Sequence, residues 1–300
     1  MTKRLNNDTS VLRCIIVVLF INLIAGHAVS AGERVFMWKV DSPKATAYIL
    51  GTVHMMKKEM YPLDSRIENA FKRSDAYALE FNIDDVTNIQ MGTILSDVSY
   101  GGDDNIQKHI SKETYDTLQK KFVEYGFPIE YMTKFRPWFL AITIETLEYQ
   151  KLGLDPRYGI DKYFLQQAEG NKSIIELESF DSQMDLFRTM TEKDQELFLV
   201  YTLNDMEDGR KNLDILMTAW SDGDSKIMEK VMFDPLKEDR RLSRIYEKLF
   251  YERNRNMTDK IEKMLAQKGT YFVAVGAGHL IGRQGIIELL SHKGYAVRQQ

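Results

Sequence analysis

Short apolar runs alternate with long stretches of helical periodicity along this chain. Apolar and β-branched residues predict strands over residues 35–40, 46–53, 76–81, 173–177 and 271–275. Between them, residues 84–152 and 191–267 repeat apolar positions at spacings of three and four, which predicts helices. Strands separated by long helices favour an α/β fold, with a mixed, largely parallel central sheet and a large helical insertion over about residues 84–267.

The helix predicted at the end of this insertion carries an apolar stripe that contains one charged residue. The stripe is formed by Leu242, Ile245, Leu249, Arg253, Met257, Ile261 and Met264. A guanidinium cannot lose its charge by deprotonation, so an arginine on an apolar face indicates either a buried carboxylate partner or a side chain that reaches past the apolar surface to water. The neighbouring Asn254 could present an amide beside it.

Two of the predicted strands end in the same short motif, Gly-x-x-His. Gly51 precedes His54 by three residues, and Gly276 precedes His279 in the same way. A glycine lets the chain turn tightly off the strand, so each imidazole is expected to point from the edge of the sheet. One copy is a weak signal, because a histidine at a strand end is usually structural, but two copies could share one site.

The predicted strand at 76–81 carries a carboxylate, Glu80, in an otherwise apolar run. An unpaired buried charge is costly, so Glu80 is expected either to have a metal or histidine partner or to lie hydrated at the end of the strand. Sites in such sheets form where strands end, which makes His54, Glu80 and His279 a candidate group. Asp161 begins a predicted helix, and we interpret it as a capping residue rather than a chemical one.

The first residues of the chain are typical of a secretory signal peptide. A basic start is followed by an apolar run over 14–25 and a small-residue ending at Ala31, which predicts cleavage after that residue. The run is shorter than the roughly 20 residues of a membrane span, so membrane contact is expected only through an uncleaved signal. The sequence therefore predicts a periplasmic or secreted protein with a single domain over 32–300. Its one cysteine, Cys14, lies in the signal, which excludes disulfide and thiol chemistry from the mature chain.

The net charge of the chain and its lack of common catalytic and nucleotide-binding motifs argue against several classes of function. The chain has a net charge of −4, and residues 1–31 hold three basic residues and one acidic residue, so cleavage would move the charge to −6. A mildly acidic chain argues against nucleic acid as a partner. The sequence contains no His-Glu-x-x-His, no Gly-x-Ser-x-Gly, no Walker loop and no dinucleotide fingerprint, so an enzyme of this sequence would use a less common site.

Motifs spread over nearly all of the chain after residue 31 resemble those of the TraB/GumN family. They are Gly-Thr-Val-His at 51–54, Leu79-Glu80, Arg136-Pro137-Trp138, Gly159-Ile160-Asp161, Leu177-Glu178 with Gln183, Ala219-Trp220-Ser221-Asp222-Gly223-Asp224, Glu252-Arg253-Asn254 and Val-Gly-Ala-Gly-His-Leu-Ile-Gly at 275–282. The resemblance implies a fold similar to the erythromycin-esterase and ChaN-like group, with a sheet flanked by helices. It also implies that both Gly-x-x-His motifs belong to one site.

The Tiki branch of this family implies peptide cleavage that depends on a divalent metal, with manganese or cobalt favoured and zinc as a further option. Carried over to this chain, the resemblance makes His54, Glu80 and His279 the candidate metal or catalytic groups, and Arg253 and Asn254 the candidate catalytic supports. Two imidazoles and a carboxylate would leave open positions on such an ion, where water can be bound and acidified. The family's usual lysine before Pro-Trp is Arg136 here, which keeps the charge and changes the geometry.

Three functional hypotheses follow from these residues. The first is an extracytoplasmic metal-dependent hydrolase, acting on a peptide or small-molecule substrate, with Glu80 as a metal ligand or as the general base. The second is a non-catalytic envelope protein that sequesters a peptide, haem or another small ligand, where haem would use His54 or His279 as its axial ligand. The third is an assembly factor in which the polar cluster only holds the core together.

Overall fold

The computed structural model describes residues 34–82 and 91–300, and in them six strands form one sheet. The strands are β1 (Met37–Asp41), β2 (Ala45–Thr52), β3 (Ala76–Leu79), β4 (Ser173–Glu176), β5 (Gly269–Gly276) and β6 (Ala296–Gln299). Their order across the sheet is β4-β3-β5-β2-β1-β6. The pairs β2–β5, β5–β3 and β3–β4 are parallel, whereas β1 is antiparallel to both β2 and β6. The predicted mixed, largely parallel sheet is confirmed.

Helices account for most of the described chain between β3 and β5. The α-helices are α1 (Ser65–Arg73), α2 (Met91–Val98), α3 (Lys112–Glu124), α4 (Pro137–Lys151), α5 (Ile160–Ala168), α6 (Phe180–Arg188), α7 (Glu192–Ser221), α8 (Ser225–Glu238), α9 (Ser243–Tyr246), α10 (Glu252–Leu265), α11 (Ala277–Leu280) and α12 (Ile286–His292). Short 3₁₀ turns cover Lys58–Met60, Ile106–Lys108, Ile129–Tyr131, Pro156–Tyr158 and Arg240–Leu242. The described part of the predicted insertion is helical apart from β4, in agreement with the sequence.

A π-helix over Glu247–Tyr251 joins α9 to α10, so the chain runs as one continuous helix into the site. The stripe predicted on this helix is buried along its whole length, from Leu242 to Met264, including Arg253. A π-turn contains one residue more than an α-helical turn, so it shifts the residues that follow it to a different face of the helix. The residues that follow it here, Arg253 and Asn254, both reach the candidate site.

The centre of the sheet is held by aromatic rings from two helices. Phe71 of α1 and Phe164 of α5 lie 4.7 Å apart between ring centroids, and both contact Phe272 of β5, at 5.4 and 4.8 Å. Tyr77 of β3 completes the group at 6.3 Å from Phe272. This cluster fixes α5, and therefore its first turn, against the strands that carry the candidate site residues.

The carboxyl ends of the parallel strands all lie at one edge of the sheet. Because β2, β5, β3 and β4 run in the same direction and are neighbours, the residues just after Thr52, Gly276, Leu79 and Glu176 are brought together there. This edge is where ligands bind in α/β sheets. His54, His279 and Glu80 all follow these strand ends.

The signal peptide predicted over residues 1–31 lies outside the described residues. Within residues 34–82 and 91–300, no helix combines the length and the apolar character that crossing a membrane requires. Strand β6 at the other end was not predicted, because its four residues, with exposed Ala296 and Arg298, lack a buried apolar face.

Candidate functional site

His54 is held by a carboxylate that sequence reasoning assigned to another role. Its Nδ1 lies 2.7 Å from Oδ2 of Asp161, and Oδ1 of Asp161 accepts a hydrogen bond from the Thr52 hydroxyl at 2.6 Å. Asp161 lies in the first turn of α5, where Gly159 is the N-cap and no side chain caps the helix. The predicted capping role of Asp161 is therefore wrong, because its two carboxylate oxygens are bonded to Thr52, at the end of β2, and to His54 in the turn that follows.

Gly159 allows α5 to begin directly against the turn that carries His54. A Cβ on residue 159 would lie 2.4 Å from the backbone oxygen of His54, closer than any real Cβ contact. The backbone N–H of Ile160 donates to the oxygen of Val53 at 3.0 Å. The start of α5 is thus fixed to the first Gly-x-x-His turn, with Asp161 facing the imidazole.

His279 is held by an amide instead of a carboxylate. Its Nδ1 lies 2.6 Å from Oδ1 of Asn254, and Nδ2 of Asn254 donates to the backbone oxygen of Gln284 at 2.7 Å. The second bond sets the amide so that its oxygen faces the ring, and His279 therefore donates from Nδ1. The ring of Phe250, from the π-helix, packs 5.5 Å from the imidazole.

Glu80 is fixed at both of its carboxylate oxygens. Oε1 accepts a hydrogen bond from the backbone N–H of Gly276 at 2.7 Å. Oε2 accepts from Nη2 of Arg253 at 2.5 Å and from Nε2 of Gln183 at 3.0 Å. Glu80 therefore does not lie hydrated at the end of the strand, because it is buried and both of its carboxylate oxygens accept hydrogen bonds.

Arg253 bridges two buried carboxylates. Besides Glu80, it binds Glu178 through Nε at 3.0 Å and through Nη2 at 2.6 Å, and its Nη1 donates to the Leu249 oxygen at 3.1 Å. Gln183 also donates to Glu178, at 3.0 Å. Of the two alternatives left open for Arg253, the structure shows the buried carboxylate partner. Sequence reasoning did not assign Glu178 and Gln183 a role, although Glu178 directly follows a predicted strand.

The three side chains proposed to act together meet around Gly276. A Cβ on residue 276 would lie 3.3 Å from Oε1 of Glu80, 3.4 Å from Cδ2 of His279 and 3.9 Å from Nε2 of His54. Nε2 of His279 lies 3.8 Å from Oε1 of Glu80. The missing side chain of Gly276 leaves this space open. The structure thus brings together all of the predicted site residues, namely His54, Glu80, Arg253, Asn254 and His279.

The two histidines differ in exposure and in electrostatics. Burial lowers the pKa of His54, but the charge and hydrogen bond of Asp161, together with the charge of Glu80, outweigh it and raise that pKa above its ordinary value. Burial and the positive charge of Arg253 lower the pKa of His279 to about 3, against the opposing effect of Glu80. The His54 side chain is 17% exposed and that of His279 is 4% exposed, so solvent reaches His54 more readily than His279.

Glu80 remains a carboxylate despite its burial. Burial raises the pKa of Glu80, but the charge of Arg253, followed by the two histidines and the N–H of Gly276, lowers it far below its ordinary value. Together with Glu178 and Asp161, the site contains three carboxylates and one guanidinium. If both imidazoles are neutral, as metal binding requires, these groups carry a net charge of minus two.

The side chains around Gly276 are of chemical types that bind divalent metals in other proteins. Nε2 of His54 and of His279 has no hydrogen-bond partner among the described residues, while each Nδ1 is held by a further side chain. Metal-binding histidines are oriented in this way, and imidazole with carboxylate suits several divalent ions. In the described part of the chain, no group of three or more His, Cys, Asp or Glu side chains could hold a metal ion in the positions that they occupy.

Comparisons with known proteins give a family and few functional details. The model of the TraB/PrgY/gumN family matches residues 36–299. The chain is 27% identical to "Uncharacterized protein YbaP" of Shigella flexneri over 248 residues, and 27% identical to that of Escherichia coli K12 over 247 residues; each match covers 81% of this chain and 87% of the relative. A "Metalloprotease TIKI homolog" of Amphimedon queenslandica is 38% identical over 53 residues, which is 17% of this chain and 10% of that protein. No solved structure matches the chain.

Proposed function

The chain belongs to the TraB/PrgY/gumN family, and from this membership and the geometry of the site we propose that it is a divalent-metal-dependent hydrolase that cleaves peptide bonds. The observation that carries the proposal is the meeting of two imidazole Nε2 atoms and one carboxylate around Gly276. The short match to a protein named as a metalloprotease supports the choice of peptide bonds. A location in the periplasm or outside the cell is part of the proposal and is supported by the sequence of residues 1–31.

The residues that would hold the metal are His54, His279 and Glu80, with manganese or cobalt favoured and zinc next. A bound divalent ion would supply a Lewis acid that polarises the scissile carbonyl and acidifies water. His279 offers a neutral Nε2 at any pH near neutrality, since its pKa is about 3. His54, the more exposed of the two histidines, would be the ligand nearer to an approaching substrate.

Glu80 is better suited to binding the metal than to accepting a proton. A general base works best with a pKa near the working pH. Arg253 and Gln183 both donate to Oε2 of Glu80, and the pKa of this carboxyl is held far below its ordinary value, mainly by Arg253. We therefore assign Glu80 as a ligand through Oε1. In this assignment Arg253 and Asn254 position Glu80 and His279, rather than contacting the substrate.

The first test is metal binding by the purified protein. After treatment with a chelator, Mn²⁺ or Co²⁺ is expected to raise the thermal midpoint in a saturable way, because an ion that binds only the folded state stabilises it. The double variant His54→Ala/His279→Ala is expected to lose this rise. His292→Ala, which changes an exposed histidine outside the site, serves as the matched control and should keep it. A rise of equal size in the double variant would overturn the metal assignment.

The second test is cleavage of a peptide library by the metal-loaded protein. Products are expected with Mn²⁺ or Co²⁺, and they should disappear with chelator and return when the metal is restored. The His54→Ala/His279→Ala variant should give none under any condition. A wild-type protein that binds the metal in a histidine-dependent way and cleaves no peptide would overturn the hydrolase and favour a binding protein that uses the same site.

A further inference from the structure

We propose that Asp161 is the positioning residue that prepares His54 to bind the metal, and that Thr52 holds Asp161 for this purpose. The inference rests on the proposed metal site and assigns a role to a residue that the sequence alone presents as a helix cap. Asp161 would not touch the ion or the substrate. It would act through the orientation and tautomer of the imidazole.

The hydrogen bond between Asp161 and His54 determines which ring nitrogen is free. A carboxylate only accepts hydrogen bonds, so the 2.7 Å contact between its Oδ2 and Nδ1 of His54 requires a hydrogen on Nδ1. In a neutral imidazole, the lone pair then lies on Nε2. Nε2 is the atom that faces Gly276, with Oε1 of Glu80 and the ring of His279 around the same point.

Asp161 is itself fixed from two strands of the sheet. Its other oxygen, Oδ1, accepts from the hydroxyl of Thr52 at 2.6 Å, and Thr52 is fully buried at the end of β2. Its backbone oxygen accepts from the hydroxyl of Tyr77 in β3 at 3.0 Å. Asp161 is therefore held in place by residues other than His54. It can orient the imidazole of His54 because its own position does not depend on that ring.

The second histidine shows what Asp161 adds. Asn254 gives His279 an oxygen acceptor without charge, whereas Asp161 gives His54 the same acceptor with a negative charge. Arg253 binds Glu80 and Glu178 and offsets part of the negative charge that these two carboxylates would offer to a cation. The carboxylate of Asp161, bonded to His54, would add negative charge that favours binding of a cation at Nε2 of His54. The removal of such a group typically weakens metal affinity about 10- to 100-fold.

The test uses Co²⁺ alone, titrated into the chelator-treated full chain and followed by visible absorption and calorimetry. Asp161→Ala is expected to weaken Co²⁺ binding by about 10- to 100-fold and to change the absorption spectrum, because the orientation of one ligand is lost. Asp161→Asn keeps an acceptor oxygen and is expected to recover part of the affinity and the wild-type spectrum. Thr52→Val should weaken binding by less than Asp161→Ala. Lys162→Ala, the next residue on α5, is the matched control and should bind as the wild type does.

The outcomes separate this inference from the proposed function. If the wild type binds Co²⁺ and Asp161→Ala binds it with equal affinity and the same spectrum, the positioning role is overturned while the metal site stands. If the wild type binds no Co²⁺, the proposed function fails, and the inference fails with it. Should Asp161→Ala not fold, Asp161→Asn and Thr52→Val carry the test, and wild-type affinity and spectra in both would overturn the role.

Discussion

At the scale of single residues, Gly276 is the position on which the site depends most directly. Its backbone angles, φ −49° and ψ 136°, are open to any residue, so the glycine is not required by the backbone. What it supplies is space between Glu80 and His279, which a Cβ would approach to 3.3 and 3.4 Å. A side chain at residue 276 should therefore disturb the site without preventing the chain from folding.

The substitution Gly276→Ala is therefore expected to leave a folded protein that binds metal poorly. The methyl group would lie among the three donor side chains and keep them from closing on an ion. Thermal unfolding with and without Mn²⁺ measures both effects, and we expect the metal-dependent rise to be lost. Gly92→Ala, at a helical glycine with open space around it, is the control that should keep the rise. A full rise in Gly276→Ala would show that the donors do not meet at this point.

The contribution of Glu80 to the free energy of unfolding should depend on pH. A carboxyl whose pKa is lower in the folded state than in the unfolded state stabilises the fold at pH values above its unfolded pKa, and this contribution is lost as the pH falls toward the folded value. Glu80 is such a group. The difference in free energy of unfolding between wild type and Glu80→Gln should therefore be largest near pH 7, and should shrink as the pH falls below about 4.3.

Urea unfolding with chelator present, at several pH values from 7 to 3.5, measures this difference without contributions from metal. The comparison with Glu80→Gln cancels the titration of other carboxyls that both proteins share. Arg253 and Gln183 are the partners that the variant disturbs. A gap between the two proteins that stays constant over the whole pH range would contradict a depressed pKa at Glu80.

At the scale of elements, the sequence predicted where strands end, but not which side chains meet across them. Apolar runs located β1 to β5, and the rule that sites form at strand ends selected His54, Glu80 and His279 correctly as neighbours. Asp161 was missed because an acidic residue in a first helical turn has the same sequence signature whether it caps the helix or faces another element. Glu178 was missed because its partner, Arg253, lies 75 positions away along the chain, and only the fold selects that pairing.

The ion network around Arg253 ties α10 to the ends of β3 and β4, which gives a prediction about stability. Replacing Arg253 by Met would leave Glu80 and Glu178 buried without a countercharge, which costs about 3–5 kcal/mol of unfolding free energy. Arg253→Lys keeps the charge and loses the paired hydrogen bonds, so its cost should be smaller. Chemical denaturation measures both variants.

The control for this network lies on the same helix. Arg255 is 48% exposed and pairs with Glu247, so Arg255→Met should cost less than about 1 kcal/mol, as exposed ion pairs do. Equal costs for Arg253→Met and Arg255→Met would mean that the buried network does not hold α10 to the sheet. A large cost only at Arg253 would support the view that this helix is kept in place by its one buried charge.

At the scale of the whole molecule, the candidate site and the two ends of the described chain involve different strands of the sheet. The site lies at the ends of β4, β3, β5 and β2, whereas β1 and β6 form the other side of the sheet. There the backbone N–H of Val35 donates to the oxygen of Gln300 at 2.6 Å. The Gln299 side chain donates to the oxygens of Val35 and Gly223, at 3.1 and 2.6 Å. Strand β6 thus pairs with β1, on the side of the sheet from which none of the three candidate metal ligands comes.

Deletion of residues 296–300 should therefore reduce stability and leave metal binding intact. The variant loses the pairing of β6 with β1 and the hydrogen bonds of Gln299, each worth about 0.5–1.5 kcal/mol, so the thermal midpoint is expected to fall by several degrees. The rise caused by Mn²⁺ should persist, since His54, Glu80 and His279 follow β2, β3 and β5. Gln299→Ala, which removes only the side-chain bonds, should give a smaller fall. If the shortened chain stays folded by circular dichroism but no longer responds to Mn²⁺, the site depends on the closed sheet as a whole, and the separation argued from strand order is wrong.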